Sequence, residues 1–275
     1  MIENKTHSEK TSAADIVAAF DFQYYYFLSR LLSLKIGETV GLEVLDDVHT
    51  ELADSRQILV QIKHTTQTKA DGSAKNLTTL DEDLWKSLSN WIQIITDPNA
   101  GRSTENAQMQ FLCKTEFLLV SNKTENEENS ILEQIKQFQA GSIQYTQLVD
   151  AINELKNKSR DESLQGYLQK ILDLNSEVGE EFFRNIHFEL NLGDIVTKCK
   201  NAIKEDKIAE DKIDEVFRNL DSQIRQDNFI DIKNNNKIII RFEDFYKKYR
   251  RHYDLARNPD LLDLFGNCYF CNSIL

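Results

Sequence analysis

Residues that interrupt regular structure are scarce in this sequence. Its 275 residues include only two prolines and nine glycines. Because proline breaks helix interiors, this scarcity favours long helices. No apolar run approaches the roughly 18 residues of a membrane-spanning helix, and the polar first residues lack the apolar segment of a secretory signal. We therefore expect a cytoplasmic protein that does not enter a membrane.

Cysteine is also rare. The four cysteines, Cys113, Cys199, Cys268 and Cys271, are widely spread along the chain, which is typical of a reduced intracellular protein. Cys268 and Cys271 form a lone CxxC pair with no second ligand pair and no thioredoxin context. Two packed thiols are therefore favoured over a zinc or redox site.

Positive charge is in deficit. The 33 Lys and Arg residues stand against 45 Asp and Glu, for a net charge of −12. Non-specific affinity for nucleic acid comes mainly from cations that neutralise phosphates. A nucleic-acid enzyme with this composition must concentrate its basic residues or use partner subunits. Residues 233–251 do concentrate them, with tyrosines interleaved. This segment is either a phosphate-tracking helix or, as we favour, an amphipathic helix that packs its aromatic residues.

Two short apolar segments, 39–50 and 56–66, carry the most informative pattern. Both are predicted to be strands, joined by a polar loop centred on residues 53–56. Successive side chains of a strand point to opposite faces. Gln61 and Lys63 therefore share one face of the second strand, opposite a wholly apolar face.

Alternation in the first strand places Glu43 and Asp47 on the face away from its valines. If the apolar faces of the two strands are aligned, these carboxylates converge with Gln61 and Lys63 on the opposite face. The pattern favours Asp47 over Asp46 as the inward carboxylate, although a bulge exchanges the two.

Such a face has the donors of a Mg²⁺-dependent nuclease. Mg²⁺ prefers hard oxygen ligands and usually takes one or two carboxylates together with waters and substrate phosphate. Asp47, with Glu43 or Asp46, supplies carboxylates, and Gln61 supplies an amide oxygen. Lys63 supplies a cation that orients the attacking water and stabilises charge on the phosphate. The alternative is an ordinary solvated strand face.

These residues resemble the PD-(D/E)xK nucleases of the restriction-endonuclease superfamily, in the variant that carries Gln-x-Lys. More narrowly, they are similar to the double-stranded DNA endonuclease domain of bacterial antiphage effectors. That domain is linked to a SAVED domain in CBASS effectors, and it also forms the nuclease subunit of Lamassu-type systems. The resemblance lies in residues 19–26, 42–48, 60–65 and 80–91, within roughly 13–121, less than half of the chain.

The resemblance implies specific roles for the site residues. It assigns metal binding to Asp47 and Gln61, with Mg²⁺ or Mn²⁺ as the cofactor, and the catalytic ammonium to Lys63. Glu43 and Asp46 are the further candidate acids, and Glu43 also joins the catalytic set. Glutamine at position 61, where the broader superfamily has an acid, lowers the local negative charge by one.

Two neighbouring residues are implicated as well. Gln23 matches a polar helix residue that often completes such sites in the resembling family. His64 follows Lys63 directly, and a DNA-contact or acid role is the functional interpretation of it.

The predicted fold is an α/β restriction-endonuclease-like core of order α-β-β-α-β, followed by a mainly α-helical C-terminal region. We expect a flexible N-terminus over 1–12, a nuclease core over 13–121, a linker and helical extension over 122–160, and a helical docking and oligomerisation region over 161–275. The core elements are expected at 13–34, 39–50, 56–66, 79–95 and 110–120. Helices follow at about 129–157, 161–174, 176–188, 192–205 and 209–226, and the run 237–242 is a strand or the start of the last helix.

Resemblance and length together imply a regulated protein. After the core, too little chain follows for a cyclic-nucleotide sensor of the CBASS kind. The expected function is therefore cleavage of double-stranded DNA by a subunit of a Lamassu-like complex. Its expected partners are an SMC-like ATPase, other defence-complex subunits and further copies of itself when active. The alternatives are a non-catalytic scaffold or adaptor with a degenerate nuclease fold, and an RNase on the same fold.

Overall fold

The computed structural model describes residues 13–69, 72, 74–125 and 129–257. These residues form an α/β protein that divides into two compact units. The first unit is Met1–Phe22 with Asp54–Gly193, and the second unit is Gln23–Ala53 with Asp194–Leu275. The chain therefore passes from one unit to the other three times, and the predicted core over 13–121 has residues in both units.

The helices and strands follow one another in close succession. In chain order they are α1 (Ala14–Leu32), β1 (Thr39–Leu42), β2 (Val48–Glu51), β3 (Gln57–Lys63), β4 (Asn76–Leu77), α2 (Glu82–Ile95), α3 (Glu105–Leu112), β5 (Thr115–Ser121), β6 (Thr124–Glu125), α4 (Ser130–Gln139), α5 (Tyr145–Lys158), α6 (Glu162–Leu172), α7 (Ser176–Arg184), β7 (Ile186–Glu189), α8 (Ile195–Glu205), α9 (Ile213–Lys233), β8 (Ile238–Arg241) and α10 (Phe242–Arg257). Short 3₁₀ turns lie at Pro98–Ala100 and Glu210–Lys212.

The first unit contains a parallel arrangement of three strands. β5 lies between β3 and β7 and is parallel to both. Parallel strands need long crossovers, usually helical, and α2 to α7 supply them. Phe117 on β5 is fully buried, with Trp91 5.3 Å and Phe182 5.2 Å away between ring centroids. The prediction of a central apolar strand over 110–120 is confirmed for β5 from Thr115 onward, whereas residues 110–112 belong to α3.

The second unit contains three antiparallel strands. β1 pairs with β2 on one side and with β8 on the other. Helices α8, α9 and α10 belong to the same unit. The apolar run 237–242, for which sequence left two interpretations, is a strand through Arg241 and begins a helix at Phe242.

Several predicted elements are corrected by the structure. The expected strand 39–50 is a hairpin of two strands, so the described order up to Ser121 is α-β-β-β-β-α-α-β rather than α-β-β-α-β. The expected helix 129–157 is broken near Gly141, whose φ of +72° ends α4. The expected helix 176–188 ends at Arg184, and β7 follows because its residues pair with β5. Short apolar runs do not distinguish strand from helix by periodicity alone.

Among the helices that the structure describes, none is both long enough and apolar enough to cross a membrane.

Candidate functional site

The acidic residues lie on the turn between β1 and β2, not on a strand. Leu42 pairs with Val48, and the Glu43 amide donates to the Asp47 carbonyl at 3.0 Å. Glu43 has a φ of +54°, and the Asp47 amide donates to the Asp46 carboxylate at 3.0 Å. The predicted alternation of these carboxylates across a strand is therefore wrong, because the chain reverses direction here.

Gln23, on helix α1, forms hydrogen bonds to this turn. Its side chain is buried, and its amide nitrogen donates both to the Glu43 carboxylate and, at 3.2 Å, to the Asp47 carbonyl. The structure thus places Gln23 beside the acidic turn, as the sequence interpretation expects. Its contribution to a metal site stays a prediction.

Gln61 and Lys63 lie on β3, in the first unit. Gln61 is buried and pairs in register with Leu119, while Lys63 is half-buried and pairs with Ser121. Because they are two residues apart on a strand, their side chains share one face. Lys63 is the last residue of β3, and the carboxyl ends of parallel strands are where open α/β sheets bind ligands.

The predicted site residues are divided between the two units. The first unit holds Gln61, Lys63 and His64, and the second holds Gln23, Glu43, Asp46 and Asp47. Within the second unit the structure brings Gln23, Glu43 and Asp47 together. His64 is half-buried, 4.9 Å from the Phe22 ring, and burial lowers its pKa. The joint action of the two sets stays a prediction.

Sequence reasoning missed a tightly packed pair beside the acidic turn. His49 on β2 is fully buried opposite Gly41 on β1. A Cβ atom at Gly41 would lie 2.0 Å from Cε1 of His49, so only glycine fits against this ring. The signal available in the sequence is a glycine inside an otherwise apolar strand, which often marks a close approach.

Alanine at Gly41 is expected to destabilise the protein by about 1–3 kcal/mol, because overpacking a filled site forces neighbouring atoms to move. The measurement is urea unfolding of the wild type and Gly41→Ala. The double variant Gly41→Ala/His49→Ala lacks the imidazole ring with which the added methyl group clashes. It should therefore be no less stable than His49→Ala alone. An equal loss from Gly41→Ala in both backgrounds would contradict the steric explanation.

Burial of His49 also makes the stability of the protein depend on pH. Desolvation lowers its pKa from the ordinary 6.5, against a smaller opposing effect of Glu51, and Nδ1 has no hydrogen-bond partner among the described residues. The unfolded chain therefore binds the proton at higher pH than the folded chain does. Stability is expected to be complete above pH 6.5 and to fall as the pH drops below it. Urea midpoints measured over this range should decline less in His49→Gln, and an unchanged decline would exclude His49 as the cause.

An ion triad in the first unit, in which Lys123 and Asp81 are largely buried and Asp83 is 42% exposed, was also missed. The Lys123 ammonium lies 2.8 Å from an Asp81 carboxylate oxygen and 2.7 Å from one of Asp83. Asp81 is the N-cap of α2 and accepts from the Asp83 amide. The sequence interpretation put Lys123 in a polar linker, whereas the structure buries it just beyond β5.

The basic segment largely packs as an amphipathic helix. On α10 the buried Tyr249 hydroxyl donates to Asp227 at 2.6 Å, and Lys248 forms an ion pair with the same carboxylate at 2.9 Å. Arg250 pairs with Asp254. Tyr246, by contrast, is 53% exposed.

The residues can be compared with what a metal ion needs. In the described part of the chain no three or more His, Cys, Asp or Glu side chains form a group able to hold a metal. Mg²⁺ needs only one or two protein carboxylates, because waters and substrate phosphate complete its shell. Within the second unit, Glu43, Asp46 and Asp47 offer carboxylate oxygens on one turn, and this donor chemistry fits a hard cation.

Comparisons with solved structures include a distant structural neighbour. No protein-family model matches the chain, and no curated protein matches it. The fold is similar to the Acinetobacter baumannii Cap4 SAVED/CARF-domain containing receptor with the cyclic trinucleotide 3'3'3'-cAAA, with a TM-score of 0.49 and 12% sequence identity. The similarity covers 88% of this chain and 46% of the receptor chain, so this chain spans less than half of that structure.

Proposed function

We propose that the chain is a Mg²⁺- or Mn²⁺-dependent endonuclease that cleaves double-stranded DNA in bacterial antiphage defence. The observation that carries the proposal is the pair of hydrogen bonds from Gln23 to the acidic turn. Three residues that the family resemblance associates with one site, Gln23, Glu43 and Asp47, are in contact although about 20 residues separate the first from the others.

Each residue has a role suited to its chemistry. Asp47, together with Glu43 or Asp46, would hold the metal through carboxylate oxygens. When bound, the metal supplies positive charge that activates water and polarises the phosphate. Lys63 donates hydrogen bonds to the scissile phosphate and stabilises the charge that develops there.

Gln23 acts as a positioning residue in this proposal. Its amide fixes the Glu43 carboxylate and the backbone that carries Asp47, so this part of the turn is ordered without a metal. An ordered set of ligands loses less entropy on binding than a mobile set.

The proposed cellular setting follows from the same resemblance. An enzyme that cuts its own cell's DNA must be held inactive until infection. We infer a regulated subunit of a Lamassu-like complex, with an SMC-like ATPase and other subunits as partners and a homo-oligomer as the active form. The purified chain alone should then cleave DNA more slowly than the complete complex.

The test is plasmid cleavage by the full chain, with and without its partners, in Mg²⁺ or Mn²⁺. Cleavage should stop on adding EDTA and should be lost in Asp47→Asn, which keeps the side-chain shape and removes its charge. Asp150→Asn is the matched control, since Asp150 is exposed on α5. Mn²⁺ titration by calorimetry should show weaker binding to Asp47→Asn. A complete complex that leaves plasmid intact would instead support the scaffold or adaptor.

A further inference from the structure

A small cavity lies beside α10 in the second unit. Its volume is about 150 Å³. Its lining includes Phe242, Tyr246, Arg250, Tyr253, Asp254 and Arg257 of α10 with Asp206 after α8. Aromatic side chains, two guanidinium groups and two carboxylates line one small space. That combination suits a planar ring, because rings stack on aromatic and guanidinium planes.

One polar group in this lining lacks a partner. Tyr253 is 6% exposed, and its hydroxyl is buried without a hydrogen bond to any described residue. Buried polar groups are normally satisfied, so an exception needs an explanation such as a ligand. Burial also raises the pKa of Asp206, which lines the same cavity.

An exposed stacking surface adjoins the cavity. Tyr246 stacks on Phe242 with ring centroids 6.1 Å apart and an angle of 16° between planes. The Arg250 guanidinium lies 5.6 Å from the Tyr246 ring centroid. Tyr246 remains 53% exposed, so part of its ring is accessible to a second ring.

The charge around the cavity is opposite to that of the whole chain. Residues 237–257 contain seven Lys and Arg against three Asp and Glu, whereas the chain carries a net charge of −12. Arg241 and Lys247 are exposed next to Phe242 and Tyr246 in sequence, and neither forms an ion pair within the described residues. These cations are available to neutralise phosphates.

We propose that α10 and its cavity bind single-stranded nucleic acid, with one unpaired base in the cavity, its neighbour stacked on Tyr246, and phosphates beside Arg241 and Lys247. The base, not the phosphate, occupies the cavity, because Asp206 and Asp254 balance the charge of Arg250 and Arg257 in its lining. Carboxylates also accept hydrogen bonds from amino groups of bases. A paired base is not free to enter such a space. This site uses none of the proposed catalytic residues.

The test is fluorescence anisotropy of the full chain with a labelled single-stranded DNA of about 15 nucleotides, in EDTA so that nothing is cleaved. Affinity should fall as salt rises from roughly 50 to 200 mM. Tyr246→Ala should weaken binding about tenfold, the effect of losing one stacked base. The matched control is Phe229→Ala, which removes a 68%-exposed aromatic ring from α9, and it should leave affinity unchanged.

Two further probes separate base binding from simple charge attraction. An abasic strand of equal length keeps every phosphate, so it should bind several-fold more weakly. Tyr253→Phe removes only the hydroxyl and should weaken binding of the normal strand while leaving the abasic strand unaffected. Equal binding of normal and abasic strands, or equal effects of Tyr246→Ala and Phe229→Ala on single-strand binding, would each overturn the proposal. Because the readout is binding, loss of cleavage has no bearing on it.

Discussion

Alanine at Lys63 is expected to reduce metal-dependent DNA cleavage by a factor on the order of 10² to 10³, the effect of removing one donor that stabilises transition-state charge. The side chain is half-buried at the carboxyl end of β3 and belongs to no ion pair among the described residues. Its loss should therefore change thermal stability little. The measurement is the rate of plasmid cleavage by the complete complex, beside the melting temperature of each variant.

Two controls sharpen this prediction. Lys86→Ala removes an exposed lysine from α2 and should leave cleavage at the wild-type rate. Lys63→Arg keeps the charge but presents a planar fork in place of a compact ammonium, so it should restore only part of the rate. Wild-type cleavage by Lys63→Ala would remove Lys63 from the catalytic set.

Alanine at Lys123 is expected to destabilise the protein by about 3–5 kcal/mol, because removing one partner of a buried ion pair leaves an uncompensated charge. Burial acts to lower the pKa of Lys123, but its hydrogen bonds to Asp81 and Asp83 outweigh burial and raise that pKa above the ordinary 10.5. The Asp81 carboxylate, whose side chain is 12% exposed, therefore depends on this ammonium for its neutralisation. Urea unfolding followed by circular dichroism measures the loss.

The double variant Lys123→Met/Asp81→Asn should recover part of that stability. Methionine retains most of the lysine volume, and asparagine keeps the N-cap oxygen of α2 while removing the charge. The comparison is Lys136→Ala, which breaks an exposed ion pair with Glu125 and should cost less than about 1 kcal/mol. A similar loss in Lys123→Ala and Lys136→Ala would show that burial of the triad contributes nothing.

Sequence predicts best those elements whose pattern is long and periodic. Helices α1 and α2 and the strand β3 appear close to their expected bounds. The sequence does not predict the hairpin, because residues 39–50 resemble one continuous strand. The turn begins at Glu43, whose φ of +54° lies in the left-handed region. A single sequence does not reveal such a turn when no Asn-Gly or Asp-Gly marks it.

The site was predictable in composition but not in geometry. Residue types and a family resemblance identified Gln23, Glu43 and Asp47, and the structure places the first beside the other two. The Lys123 triad could not be found in this way, because its members lie about 40 residues apart and their link depends on how β5 and α2 pack. Pairings over such separations depend on tertiary contacts, which local patterns do not encode.

The middle strand of the second unit has a consequence for synthesis of the chain. β1 bonds to β2 almost at once, but its other neighbour, β8, is made roughly 200 residues later. During translation the N–H and C=O groups on the β8 side of β1 therefore have no strand partner until β8 is made. Unpaired strand edges of this kind promote aggregation. The residues of the first unit after Ala53 precede β8 in the chain, so they can fold while this edge is still open. Completion of the second unit, which holds the acidic turn, is thereby delayed until late in translation.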